Sequence, residues 1–244
     1  MSEKPAYVVS DVHLGAVPDG TERAFRSFLR RVGERASELL INGDLFDFWF
    51  EYRTVIPSEH FRVLAALADL AESGVRIRFV GGNHDAWGGS FLQGLGMELL
   101  EDGTELEVGG HRALVVHGDG RGAGDLKYRA LKRLIRSKLA IRGFALLHPD
   151  VGSRIASLAS TTRGKAGNAS GASSERADRL RAWAMSQLAD RPELDLVLAG
   201  HTHTPTVDAA GPGRYYVNTG DWINHFTYLV LHRGESPDLR GWPD

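Results

Sequence analysis

The 244-residue chain has no cysteine. Disulfides, thiolate metal sites and cysteine nucleophiles are therefore excluded, and a reducing, cytoplasmic setting is the expected one. It also lacks any uncharged apolar run of roughly 18 residues, so no membrane-spanning helix is expected. The start, Met-Ser-Glu-Lys-Pro, leads at once into an apolar strand, without the apolar core of a secretory signal. Neither sign of charge dominates. Lys and Arg number 29 against 31 Asp and Glu, a net charge of −2, which argues against a globally basic nucleic-acid binder. No internal repeat is visible.

What is present is ordinary in bulk, with 42% apolar and 25% charged residues. The length suits one domain spanning 1–244. Strands are expected at Ala6–Ser10, Glu38–Asn42, Val75–Val80, Leu194–Ala199, Arg214–Val217 and Phe226–His232. Glu105–Val108 and Arg112–Val116 flank Gly109-Gly110, a hairpin signal. Helical spacing runs through Thr21–Ala36, with Thr21 as N-cap, and through Ser58–Ser73, with Ser58 as N-cap and Gly74 as stop. Strands alternate with helices early and pair as hairpins late, which predicts a layered α/β fold with a mixed central sheet.

The segment Gly120–Ser174 reads as an insertion over one face. Leu126–Leu147 is predicted as one basic helix, Thr161–Ser174 as a mobile Gly/Ser-rich stretch, and Ser174–Leu188 as a helix returning to the core. From Arg121 to Lys165 it carries eleven Lys or Arg against two Asp, interleaved with Leu131, Leu134, Ile135 and Leu139. Such a surface suits an anionic membrane, a nucleotide diphosphate, or a solvated face over a packed helix.

Five short motifs follow apolar strands in order: Asp11-Val12-His13, Gly43-Asp44, Gly82-Asn83-His84-Asp85, Val116-His117-Gly118-Asp119 and Gly200-His201-Thr202-His203. Each alone also fits a turn Asp or a surface His. Together they supply carboxylates, an amide oxygen and imidazoles that suit two divalent cations and metal-assisted hydrolysis of a phosphate ester. Mixed carboxylate and imidazole ligands favour manganese, iron or zinc over calcium or magnesium. Alternation would place Asp11 and His13, and likewise His201 and His203, on one side of a strand end. Asp44 suits a bridge between two cations. His84, hydrogen-bonded to Asp85, would stabilise the phosphorane charge or protonate the leaving oxygen. Asp47 is a second candidate for that bridge but, followed by Phe48-Trp49-Phe50, reads as structural or pocket-lining, and Trp49, Phe50, Tyr52 and Trp222 read as pocket or core. His60, His111, His148, His225 and His232 lie outside the motifs. Gly118–Ala123 also fits a dinucleotide-binding pattern, but it begins beside a candidate metal ligand and no acidic partner follows at the right distance.

The motif set resembles the calcineurin-like metallophosphoesterase superfamily across residues 11 to 203. That resemblance implies a four-layer α/β-β/α sandwich with mixed sheets. Asp11, His13, His203 and Asp44 would hold one metal, and Asn83, His117, His201 and Asp44 the other. His84 and Asp85 would be catalytic, and manganese the expected metal, with iron and zinc as alternatives. Gly43–Phe50 and the basic insertion further resemble the UDP-2,3-diacylglucosamine hydrolases of lipid A synthesis. In that family the insertion is a lid over acyl chains, and the products are UMP and 2,3-diacylglucosamine 1-phosphate. By that resemblance Asp125, Tyr128, Lys132 and Arg163 would contact substrate, and the inner face of the cytoplasmic membrane would be a docking surface. The chain departs from that branch at His84, where those enzymes often carry Arg, which keeps a soluble phosphodiester or nucleotide open as substrate. A metal-free binding module with the same fold is the non-enzymatic alternative.

Overall fold

A computed structural model describes residues 4–52, 54–121, 132–159 and 171–243. Among the described residues, eleven strands form two mixed sheets rather than the one central sheet that strand patterns suggest. The first sheet contains β1 (Ala6–Val9), β2 (Glu38–Asn42), β3 (Arg76–Val80), β4 (Met97–Leu100), β10 (Thr227–Leu231) and β11 (Asp238–Gly241), in the order β11-β10-β1-β2-β3-β4. Strands β1 to β4 are mutually parallel; β10 adds antiparallel to β1, and β11 antiparallel to β10. The second sheet contains β5 (Thr104–Val108), β6 (His111–Val115), β7 (Leu196–Ala199), β8 (Thr206–Gly211) and β9 (Arg214–Asn218), in the order β5-β6-β7-β9-β8. Here β6, β7 and β9 are parallel.

Side-chain alternation along the strands builds three apolar cores between four layers. Tyr7, Val9, Leu39, Ile41, Ile77 and Phe79 face outward. They pack under Phe25, Phe28, Leu29 and Val32 of α1 (Asp19–Arg35) and Val63, Leu64 and Leu67 of α2 (Phe61–Glu72). Their neighbours Ala6, Val8, Leu40 and Val80 face inward, against Ala113, Val115, Leu196, Leu198 and Val217 of the second sheet. On the far side, Leu114, Val197 and Ala199 meet Leu180, Ala184 and Leu188 of the helix Gly171–Asp190. The four-layer sandwich follows directly from this period of two.

Several local readings need correction. Helix α1 begins two residues before Thr21, with Pro18 as N-cap, so Thr21 is a buried first-turn residue and not a cap. Ser58 opens a short 3₁₀ turn, Ser58–His60, with no side-chain cap, and the α-helix starts only at Phe61. Gly74 does end that helix, with φ +92°. The short helix α3 (Ser90–Gly94), β4, β8 and β11 lack the periodicity that would announce them.

The expected continuous basic helix is broken. Residues 132–135 are helical, the chain turns at 136–137, and Ser137 restarts it by accepting the Ala140 N–H at 3.2 Å. Helices α4 (Lys138–Phe144) and α5 (Pro149–Ala159) follow, and Gly171–Asp190 is α6. Most of the stretch expected to be mobile lies outside the described residues.

Candidate metal centre

The C-terminal ends of the parallel strands of both sheets meet at one crevice, where α/β sheets usually bind ligands. Asn42 ties the sheets together there. Its amide donates to the Val116 carbonyl at 2.8 Å, and its own carbonyl lies 3.0 Å from His117 Nδ1. Around this staple the five motifs converge.

Asp11 and His13 do share a side, but not through strand alternation. Strand β1 ends at Val9, and both residues are left-handed, with φ of 54° and 52°. Asp44, His201 and His203 have the same backbone, with φ of 54°, 65° and 58°. Among the described non-glycine residues only Phe226 joins them. Asp and His tolerate this region better than most residues, and such backbone clusters at functional sites. Hydrogen bonds hold it in place: Asp11 N–H donates to Gly43 O and His13 N–H to Asp44 O. Glycines let the loops close in. A Cβ on Gly82 would strike the Asp44 carboxylate, and one on Gly200 would lie 2.5 Å from Asp11 Oδ2.

The result is a chain of buried acids with buried and half-buried imidazoles. Asp11, His13 and His203 form one group of potential ligands; Asp44, His117 and His201 form another; His13, Asp44 and His84 link them. His117 Nε2 lies 3.2 Å from Asp44 Oδ2, and His13 Nε2 lies 3.7 Å from the same oxygen. His203 Nε2 faces Asp11 Oδ1 at 3.5 Å. Asn83 is exposed, between Gly82 and the clustered His84.

Charge accumulates accordingly. Burial pushes the Asp44 carboxyl up, but His117, then His13 and His84, outweigh it and hold it well below the usual carboxylate range. Burial pulls His117 down, yet Asp44, followed by Asp11 and Asp119, lifts it well above the usual imidazole range. Burial, and then the nearby His117 charge, lower His201 to about 4.

The residues fit a pair of divalent metals. The buried Nε2 atoms of His13 and His117 have no hydrogen-bond partner, although an orphaned buried polar group costs about 1–3 kcal/mol. Both nitrogens instead face carboxylate oxygens. A cation between nitrogen and oxygen resolves both deficits at once.

His84 and Asp85 do not form the expected pair. The Asp85 carboxylate is fully buried and accepts the N–H groups of Asp44, Leu45, Phe46 and Gly82 at 2.7–3.3 Å. Burial, then the Asp44 charge, raises it to about 6. It shapes the Asp44 loop and has no oxygen left for His84. His84 Nδ1 instead meets the Asp47 carbonyl at 2.8 Å, and the Asp47 carboxylate lies 3.4 Å from His13 Nδ1. Asp47 is thus a neighbour of the centre through His13 and His84, while Asp44 lies between His13 and His117. Trp49 and Trp222 are fully buried core residues.

Two acids escaped sequence reading. Asp221 faces His203 Nδ1 at 3.4 Å and His225 Nδ1 at 3.0 Å. Its signal was available: Gly220-Asp221 follows strand β9 as Gly43-Asp44 follows β2. Burial opposes its ionisation, but His203 and backbone N–H groups hold the carboxyl well below its usual range. Asp102 accepts the His117 N–H at 2.9 Å and pairs with Arg121 and Lys132. No motif marks it.

Lys132 is committed to Asp102 at 3.2 Å and Asp119 at 2.8 Å, so its ammonium is occupied by the protein rather than presented to a substrate. Asp125, Tyr128 and Arg163 lie outside the described residues. Arg136 donates to the Gly82 carbonyl at 2.7 Å. Phe144 of α4 packs on Phe48, Phe50 and Trp87, at 4.8–5.6 Å between ring centres, which seats the insertion beside the centre. Among the described residues, no helix is long and apolar enough to cross a membrane.

Comparison with known proteins agrees with this geometry. The sequence profile described as calcineurin-like phosphoesterase matches residues 4–205. A UDP-2,3-diacylglucosamine hydrolase of Porphyromonas gingivalis is 34% identical, covering 92% of each chain. One from Ralstonia nicotianae is 32% identical over 89% of this chain and 84% of its own. One from Escherichia coli O7:K1 is 30% identical over 82% of each. With the motifs in order at the strand ends of a two-sheet sandwich, the chain belongs to the calcineurin-like phosphoesterase family.

Proposed function

We propose that this dinuclear-metal phosphoesterase hydrolyses the pyrophosphate of UDP-2,3-diacylglucosamine, releasing UMP and 2,3-diacylglucosamine 1-phosphate. The observation that carries the substrate is the likeness to hydrolases of that name over nearly the whole of both chains. The insertion supports it. Leu134, Leu139 and Leu146 are exposed, at 65%, 79% and 88%, among Arg133 and Arg142. An apolar, cationic surface next to a phosphoesterase centre suits an acylated, anionic substrate.

In this reading the chain is one domain with 120–174 as a lid. It works in the cytoplasm and docks on the anionic inner face of the cytoplasmic membrane. Asp11, His13, His203 and Asp44 hold one metal, and Asn83, His117, His201 and Asp44 the other. Manganese is the metal proposed. Bound there, two dications make a water nucleophilic near neutral pH and neutralise phosphoryl charge. The protein does the rest. Left-handed backbone and the glycine contacts hold the carboxylates in place. His84, with Nδ1 fixed on the Asp47 carbonyl, keeps Nε2 for the leaving oxygen. As the water oxygen bonds to phosphorus and loses a proton to solvent, the bridging P–O bond breaks and His84 supplies a proton to the leaving oxygen.

The test is manganese-reconstituted hydrolysis of UDP-2,3-diacylglucosamine, following UMP, beside bis-p-nitrophenyl phosphate. A far higher kcat/KM on the lipid substrate is expected. Turnover of the generic diester alone would retain the phosphoesterase and favour a soluble phosphodiester, a reading that His84 itself supports.

A further inference from the structure

We infer that Asp221 is a positioning residue that fixes the tautomer of His203, so that His203 Nε2 is presented as a lone pair to the Asp11 half of the metal centre. The inference rests on the reading of Asp11, His13 and His203 as metal ligands.

The Asp221 turn is built for this task. Oδ1 accepts the N–H groups of Ile223, Asn224 and His225 at 2.8, 2.7 and 3.1 Å. Those three donors fix the carboxylate plane and leave Oδ2 as the working atom. Oδ2 faces His203 Nδ1 at 3.4 Å, and the opposite ring nitrogen, Nε2, faces Asp11 Oδ1 at 3.5 Å. The turn is itself tied to the centre, because Trp222 N–H donates to the Asp11 carbonyl at 3.0 Å. Asp221 is fully buried. An ionised carboxylate can only accept, so the nitrogen facing it must carry the hydrogen. Nε2, which faces the Asp11 carboxylate, is then the nitrogen that would give up its hydrogen to take a cation on that side. Carboxylate partners of this kind orient metal-bound histidines, and their loss typically costs about 10–100-fold in metal affinity. His225 Nδ1 meets the same oxygen at 3.0 Å but is half exposed and outside the ligand groups, so it is a neighbour of Asp221 and not a ligand.

Asp221→Asn separates this role from a structural one. The amide oxygen can still accept the three backbone N–H groups, which preserves the turn. The NH₂ group then faces His203, demands an acceptor at Nδ1 and moves the hydrogen to Nε2. Metal-depleted wild type, Asp221→Asn and His225→Gln would be titrated with cobalt(II), read by visible absorption and by metal content after desalting. Wild type and His225→Gln are expected to take two ions per chain. Asp221→Asn should take one as tightly and the second about 10–100-fold more weakly. Two equally tight ions in Asp221→Asn would overturn the role of Asp221 alone. A wild type that binds no cobalt would overturn the metal-site reading beneath it. A measurement on the unmutated, metal-free protein covers the case in which Asp221→Asn does not fold. Histidine nitrogen NMR, with His203 assigned by His203→Gln, should find hydrogen on Nδ1 of His203, and a bare Nδ1 would overturn the inference.

Discussion

Gly82→Ala is the sharpest probe of how closely the two loops of the centre must approach. The added methyl carbon would run into Asp44 Oδ1 and lie 2.6 Å from Asp44 N and 2.8 Å from Asp44 Cγ. These are backbone and a fully packed carboxylate, so neither can swing away. Gly82 is not left-handed, and Ala adds no backbone strain there; the cost is steric. To restore ordinary contact, the loop carrying Asn83 and His84 must retreat by roughly 1 Å. That stretches the His84 N–H to Asp44 Oδ1 bond, now 2.9 Å, and the Gly82 N–H to Asp85 bond, now 2.8 Å. Overpacking of this kind costs about 1–3 kcal/mol, a fall of about 2–12 °C in Tm for a chain of this size. A displacement of about 1 Å at reacting groups costs about 10²-fold in rate. The assays are differential scanning fluorimetry, metal content, and kcat on bis-p-nitrophenyl phosphate. Gly74→Ala, at a left-handed glycine in open space far from these loops, should lose stability through strain alone and keep its kcat. A Gly82→Ala enzyme with wild-type kcat and full metal content would refute the close-approach argument.

Other expectations follow from the same geometry. Asp44→Ala should lose one or both metals and nearly all turnover, checked by elemental analysis and diester hydrolysis; substantial metal-dependent activity would contradict the assignment. His84→Ala should keep its metal content while kcat falls about 10²–10⁴-fold, and an unchanged kcat would remove His84 from the chemistry. His60 lies against Phe46 and Trp49, and burial lowers it to about 4. The unfolded chain therefore binds the extra proton between about pH 6.5 and 4, so its contribution is full above 6.5 and falls with acidification, by roughly 3 kcal/mol in all. His60→Phe should flatten that part of the pH–stability curve measured by urea unfolding. Arg133 and Arg142 are exposed, whereas Lys132 and Arg136 are tied to the core. Charge removal at Arg133 and Arg142 should thus weaken cosedimentation with anionic vesicles without altering diester hydrolysis, and unchanged sedimentation would leave the insertion as a solvated face.

Much of this protein was legible in one dimension. Short apolar runs ending in Asp, His and Gly marked the strand ends, because period-two alternation and left-handed exits leave local residue signatures. Helix α2 and the Gly109-Gly110 hairpin were readable for the same reason. The centre's outer partners were not. Asp85 sits beside His84 in sequence yet turns to the backbone of a loop about forty residues away, because three buried N–H groups there, with that of Gly82, outweigh one imidazole. Asp221, Asp102 and Asp47 reach metal-centre histidines only because loops from both sheets converge on one crevice. The break at Ser137 likewise reflects where Arg136 and Phe144 find purchase on the core, while helical spacing runs on without interruption. The sequence by itself determined the chemistry and its order along the chain, since ligand identity and strand periodicity are local properties. Which acid supports which histidine was decided only by tertiary structure, since that choice depends on distance between segments that no spacing encodes.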